Sequence, residues 1–422
     1  MKNSLFLVLL FSVQTFLQAQ VYTEKQTRHR FAQLHLGFDL EISTGGESQY
    51  IVSGNDLQAF TFSGITRPRF LIGGTHFWGH ADFYIAIPIA YPQKEINDQT
   101  INFLRGVETV FKYYPWRIEH KAIRPYIGLS LAPFYYQQDN DLLDFGNGPG
   151  LSHTSVPLHA GLTLNVKNHL IELGASWNYL NNQNYFISRD QRISVETPPV
   201  YVNLSYRVML ETTLSAEKNW ESGRTKEVTE RLANDGKLNG IYLGAGLSSA
   251  FWLGNNSYNT VLRPYAEDYG ISIMPDFTLG YYLHNPDINI GIAYRSYGTS
   301  INTYGAVQRA RRRSIALEAT KYLFDYNGFA PFIGPVVSSE YLRFEEDFER
   351  QSIVDAEERQ LSYGVTFGWD IRPNRLQKWI LRTNLRWFPN LKLEVSEGQE
   401  ISFDNLEFNF IQFILFPNRL KL

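Results

Sequence analysis

The residues best suited to chemistry are ionisable groups set singly into segments that otherwise alternate apolar and polar residues. Glu108, Glu172, Arg207, Arg295, Glu318, Arg382 and Arg386 all occupy polar positions of such segments. Facing away from an apolar set, charges like these either line a solute path and set its ion selectivity or pair into a network that fills a closed interior. The spacing leaves both open. Other chemistry has less support. With no cysteine, the chain has no disulfides, thiolate metal sites or cysteine nucleophile. The nine histidines form no His-x-Glu pair, so neither metal nor cofactor is expected. Asp39 and Glu41 stand near one end of the first alternating segment. They read as lumen-lining acids rather than a hydrolytic pair, and no catalytic residue is expected.

The elements that must position these charges are extended strands. Ala32, Leu34, Leu36, Phe38, Leu40 and Ile42 alternate with Gln33, His35, Gly37, Asp39 and Glu41. The same period of two returns at 81–89, 200–210, 288–294 and 361–371. Segments of about ten residues, apolar on one face and polar or glycine on the other, are the pattern of a transmembrane β-barrel. A soluble sandwich also alternates. The placement of tryptophan favours the barrel: Trp78, Trp116, Trp369 and Trp379 fall at one set of strand ends and Trp177, Trp252 and Trp387 at the other, as in interfacial girdles, while Trp220 lies outside the strands. Such strands in lipid must also close, because an open edge would leave backbone groups unpaired.

Residues 1–19 read as a secretory signal, with Lys2, an apolar run from Leu5 to Phe11 and a small residue at Ala19. Strands are expected near 31–43, 67–77, 80–91, 101–114, 123–137, 155–166, 169–180 and 198–211. Long polar loops follow the odd strands and short turns the even ones, which puts the short turns and both termini in the periplasm. The second half repeats the rhythm, with long loops expected at 253–272, 299–311, 345–358 and 389–403. Under that topology Arg311 and Arg313, sharing the parity of Ile315 and Leu317, point outward at outer-leaflet headgroup height. Guanidinium groups there suit lipopolysaccharide phosphates, with ordinary solvation as the competing reading.

The halves align at a spacing of about 207 residues, for example Leu34-His35-Leu36-Gly37 with Ile241-Tyr242-Leu243-Gly244 and Pro68–Gly73 with Pro275–Gly280. The expected organisation is a signal (1–19), a first eight-strand half (31–211), a charge-rich periplasmic linker (212–239) with one short helix ending at Gly236, and a second half (240–418). Lys112-Tyr113-Tyr114-Pro115 followed by Arg124-Pro125-Tyr126-Ile127-Gly128-Leu129 resembles the periplasmic hairpin of the OmpA/OmpX-like eight-stranded barrel domains of Bacteroidota. The resemblance covers each half separately. It implies an outer-membrane barrel and no shared catalytic residues.

All-β, then, with about sixteen transmembrane antiparallel strands, closing either as one ring or as two tandem eight-stranded barrels. The long linker and the mid-strand glycines point to two; the commonness of single large barrels tips the balance narrowly to one. The expected function is non-enzymatic, a passive channel or a structural scaffold in the outer membrane. The alternative is an accessory subunit of a larger envelope complex, with the linker as docking surface, and an outer-membrane lipid hydrolase or protease is a minor third. The expected partners are outer-membrane lipid, lipopolysaccharide and other envelope proteins. A net charge of −3 excludes a nucleic-acid surface.

Overall fold

The strand that ends the first half decides how the sheet closes. Val200–Glu211 pairs antiparallel with Ala32–Ser43, from Gln33 opposite Glu211 through Ser43 opposite Tyr201. The computed structural model, which describes residues 30–421 apart from 54–55, 91–92, 97–98, 120, 140–149, 213–223, 255, 267–268 and 270–271, therefore holds two closed barrels. The first runs through Ala32–Ser43, Thr66–His76, Ala81–Pro88, Glu108–Tyr113, Ile123–Asp139, Leu158–Val166, His169–Trp177 and Val200–Glu211. The second runs through Gly240–Trp252, Ser272–Leu283, Ile288–Thr303, Ala306–Tyr322, Phe329–Phe348, Gln351–Ile371, Trp379–Phe388 and Asn405–Leu415. The narrow preference for one large ring is thus corrected in favour of the tandem pair. The physical reason lies inside: Arg207 on the eighth strand reaches Asp82 on the third at 2.6 Å. Opposite walls that meet through single side chains require a small circumference.

Alternation sets which way each side chain points. Along Val200–Glu211, Leu204 is 55% exposed on the outer face while Arg207 is wholly buried on the inner. The apolar outward set circles both barrels and includes Phe38, Ile127, Leu173, Phe277, Ile292 and Leu361. The expected signal peptide and Trp220 lie outside the described residues.

Two expected loops are strands. Ile288–Thr303 and Ala306–Tyr322 meet at a two-residue turn, Tyr304-Gly305, and Phe329–Phe348 and Gln351–Ile371 meet at Glu349-Arg350. All four turn residues have positive φ (43°, 86°, 49° and 69°), the conformation whose twist suits a tight hairpin. The polar residues that suggest loops at 299–311 and 345–358 are cross-strand ladders: Arg309 meets Asp347 at 2.9 Å and Arg343 meets Asp355 at 3.0 Å. Polarity here marks strand that continues past the apolar band.

The barrels stand side by side in the same orientation. At the short-turn end Phe31 and Trp78 of the first pack against Tyr326 of the second. At the opposite end Arg189 donates to the Tyr304 carbonyl at 2.7 Å and to Glu349 at 2.9 Å. Between them, Phe83 and Phe111 of the first barrel pack with Phe251, Phe408 and Phe410 of the second. A bulge makes this possible. The pairing skips Phe410, with Leu247 opposite Ile411 and Ser248 opposite Asn409, so an extra residue joins the outer face of that strand. Thr383 Oγ1 donates to the freed Phe410 carbonyl at 2.8 Å. In the linker, helix Arg224–Asn234 ends at Gly236 (φ 70°), where Lys237 N–H bonds the Leu232 carbonyl and Gly236 N–H that of Ala233, a Schellman stop.

Candidate functional site

Each lumen is occupied by its own charges. In the first barrel, Asp39 and Glu41 face Arg69 and Arg67 directly across the first strand pair. Arg69 holds Asp39 through both carboxylate oxygens at 2.8 and 2.5 Å and reaches Glu108 at 2.6 Å. Arg67 reaches Glu41 at 3.1 Å. Deeper in, Arg207 bridges Asp82 and Glu172, each at 2.6 Å. His35 Nε2 lies 2.7 Å from Asp82, and Lys112 pairs with Glu172 while resting 4.3 Å from the centre of the Tyr126 ring. Nearest the short turns, Arg124 donates to the carbonyls of Gly79 (2.9 Å) and Trp116 (3.1 Å), lacing two turns together over the lumen. Five carboxylates and five arginine or lysine side chains are buried inside this barrel among the described residues (Asp39, Glu41, Asp82, Glu108, Glu172; Arg67, Arg69, Lys112, Arg124, Arg207). Their charges cancel, which is the condition for keeping ionised groups out of water.

The second barrel repeats the principle with different positions. Arg386 donates to Asp276 at 2.7 Å and lies 2.9 Å from Glu318, and Arg295 also pairs with Glu318. Arg312 holds Glu340 through both oxygens at 2.8 Å and Glu407 at 2.7 Å. Towards the turns Arg382 grips Asp370 at 2.8 and 2.9 Å within a layer of Tyr242, Tyr322, Phe332 and Phe416.

The far ends are capped by apolar clusters. Over the first barrel, the loop strands Gly46–Ser53, Asp56–Phe62, Asn182–Phe186 and Arg192–Glu196 form a four-stranded sheet whose Tyr50, Phe62, Tyr185 and Val195 pack on Phe134 and Tyr136. Over the second, helix Ser257–Leu262 and the hairpin Lys392–Ser396/Gln399–Ser402 bring Tyr258, Leu393, Ile401 and Phe403 against Leu342 and Phe344. The loops close the lumen because they fold into sheet and helix of their own.

All seven charges singled out from the sequence, Glu108, Glu172, Arg207, Arg295, Glu318, Arg382 and Arg386, lie inside, and each is 7% exposed or less. They divide between the two interiors by half. The sequence reading missed Asp82, Arg69, Lys112 and Arg124 in the first barrel and Asp276, Arg312, Glu340, Asp370 and Glu407 in the second. The same parity could have found them: the alternation that turns Arg311 and Arg313 out turns Arg312 in. Arg311 and Arg313 are exposed, Arg311 within 3.9 Å of Glu345 and Arg313 within 6.0 Å of the Tyr341 ring.

Outside the strands, His284 sits in the turn before Ile288, its backbone N–H bonded to Asn239 Oδ1 at 2.8 Å. Burial, and then the Arg419 guanidinium, hold its imidazole below the ordinary 6.5, against the opposing pull of Asp287. Among the described residues no cluster of three His, Asp or Glu is placed to hold a metal ion.

No family model and no curated protein matches the chain. Among solved structures it is similar to Neisserial surface protein A, at 14% identity over 42% of this chain and 97% of that one, with a TM-score of 0.29. It is also similar to an outer membrane channel from Pseudomonas putida F1, at 9% identity over 91% of this chain and 95% of that one, TM-score 0.20. A third is the CymD monoaromatic hydrocarbon channel, at 7% identity over 91% and 88%, TM-score 0.19. The barrel assignment rests on the strand pairings themselves.

Proposed function

We propose that this chain is a non-enzymatic outer-membrane scaffold: two barrels side by side, spanning the bilayer with the short turns, linker and termini on the periplasmic side, and conducting nothing. The apolar outward face supports the membrane reading, since charged groups there would cost about 2–4 kcal/mol each at the bilayer midplane. The observation that carries the closed reading is the packing of Arg67, Arg124, Arg207, Arg295, Arg312 and Arg386 in full burial across both interiors. A solute path needs a continuous wet gap past such groups. Planar-bilayer recording tests it: purified protein is expected to give no stable current steps, and steps of constant conductance would restore the passive channel.

One observation favours a second role, as a subunit that partners other envelope proteins. The strand Gln351–Ile371 pairs with Trp379–Phe388 only from Val365 onward. The ladder edge before that point is a site where an extended segment of another protein could add. The charge-rich linker at 212–239 is a second docking surface on the other side of the membrane. Lipid is the standing partner in this reading, and the exposure of Arg311 near Glu345 and Arg313 near Tyr341 supports contact with lipopolysaccharide phosphates.

A further inference from the structure

Two round barrels that touch along one line leave a wedge beside it, and here the wedge is a cavity of about 680 Å3. Its walls are outward-facing residues: Phe111 and Leu129 of the first barrel, Phe329 and Trp369 of the second. It extends to the short-turn end, where His76 and Tyr113 join the lining. Those two side chains carry polar atoms that the chain does not satisfy. His76 Nδ1 and Tyr113 Oη are both shielded from solvent, and neither has a hydrogen-bond partner among the described residues. A shielded polar atom without a partner costs about 1–3 kcal/mol and calls for a reason.

We infer that the wedge is a binding site for one diacyl phospholipid of the periplasmic leaflet. The inference rests on the membrane reading above. The apolar walls lie at hydrocarbon depth, where water has no favourable interactions to make and an acyl chain does. The two unsatisfied atoms lie at the turn rim, at the depth of the ester carbonyls and phosphate. Both are able to donate a hydrogen bond, Tyr113 through its hydroxyl and His76 through Nδ1–H, and the ester and phosphate oxygens only accept. A cavity of this size falls within the range of ordinary small-molecule sites, about 300–1,000 Å3, so its capacity is one lipid rather than a patch of bilayer. The lipid would complete the seam between the barrels as well as fill it, touching Phe111 on one side and Trp369 on the other.

The test uses the full chain, stripped of lipid on a column in mild detergent and then titrated with a diacyl phosphatidylethanolamine under native mass spectrometry. The expected result is one saturable adduct in the wild type. Leu129→Trp, which fills the wedge, should weaken that adduct by about a hundredfold, and Tyr113→Phe by about tenfold, the loss of one hydrogen bond. Heat-dependent gel mobility shows that each variant is folded. Flotation with vesicles separates the two readings: protein that does not float fails the membrane assignment, whereas protein that floats but takes up lipid without saturation overturns the site. An adduct equally strong in wild type, Leu129→Trp and Tyr113→Phe overturns it too.

Discussion

Phe83 of the first barrel stacks on Phe410 of the second, ring centroids 4.7 Å apart and planes inclined by 26°. Phe410 is available because of the bulge that adds it to the outer face, and Phe408 meets the same ring edge-on at 5.2 Å. Aromatic pairs contribute about 0.5–1.5 kcal/mol beyond area burial. A double-mutant cycle over Phe83→Ala and Phe410→Ala should therefore give a coupling of about 1 kcal/mol, read from urea unfolding in detergent. Additive losses would mean that the barrels fold with no energetic contact at this point.

Arg207 links opposite sides of the first interior, since it bridges Asp82 and Glu172. Arg207→Met leaves two carboxylates facing each other with only Lys112 and His35 to compensate. Breaking a buried pair from one side costs about 3–5 kcal/mol, so the variant should unfold at clearly lower urea. Glu172→Gln together with Lys112→Met removes one charge of each sign and should be much milder. Equal losses from the two would count against an electrostatic account.

Acidification should weaken the short-turn end of the second barrel. The His284 imidazole titrates below its unfolded value, so the folded state prefers it neutral. Its contribution is fully present above about pH 6.5 and is lost as pH falls through the folded value. The urea midpoint should drop between pH 7.5 and 5.5, and His284→Gln should shrink the drop. An identical drop in that variant would assign the pH response to other groups.

Arg311 and Arg313 offer a surface prediction. Replacing both with glutamine should leave stability within about 0.5 kcal/mol, as for most exposed positions. It should reduce association with lipopolysaccharide micelles in a pull-down at moderate salt. Unchanged association would leave the pair as ordinary solvated rim residues.

The fold was legible in this sequence to the extent that one period carried it. Alternation marked strands at 32–42, 81–89, 200–210, 288–294 and 361–371, and it turned Glu108 and Arg386 inward without any knowledge of their partners. Closure was not legible, because whether Val200–Glu211 finds Ala32–Ser43 or Gly240–Trp252 is a long-range choice to which strand-period information is silent. The pairs that settle it, such as Arg207 with Asp82, lie 125 residues apart. Beyond the apolar band the signal misled: the ladders Arg309–Asp347 and Arg343–Asp355 carry loop-like composition on extended backbone. The mid-strand glycines, read as pointing to two barrels, act through contact. Gly161 and Gly174 lie opposite each other beneath the Tyr126 hydroxyl, and Gly280 and Gly291 beneath that of Tyr242. A side chain at any of the four would collide with that ring's oxygen at 2.6 Å or less.

The hairpin Phe329–Phe348/Gln351–Ile371 has the longest strands among the described residues, at 20 and 21 residues. At about 3.4 Å per residue such a strand is roughly 70 Å long, and tilted as barrel strands are it still rises well over the ~30 Å hydrocarbon thickness. In the orientation proposed above the surplus projects from the cell, and because Glu349 at its tip is held by Arg189 of the first barrel and by the Gly305 carbonyl of the neighbouring hairpin, a phage fibre or an antibody would meet both barrels at one height.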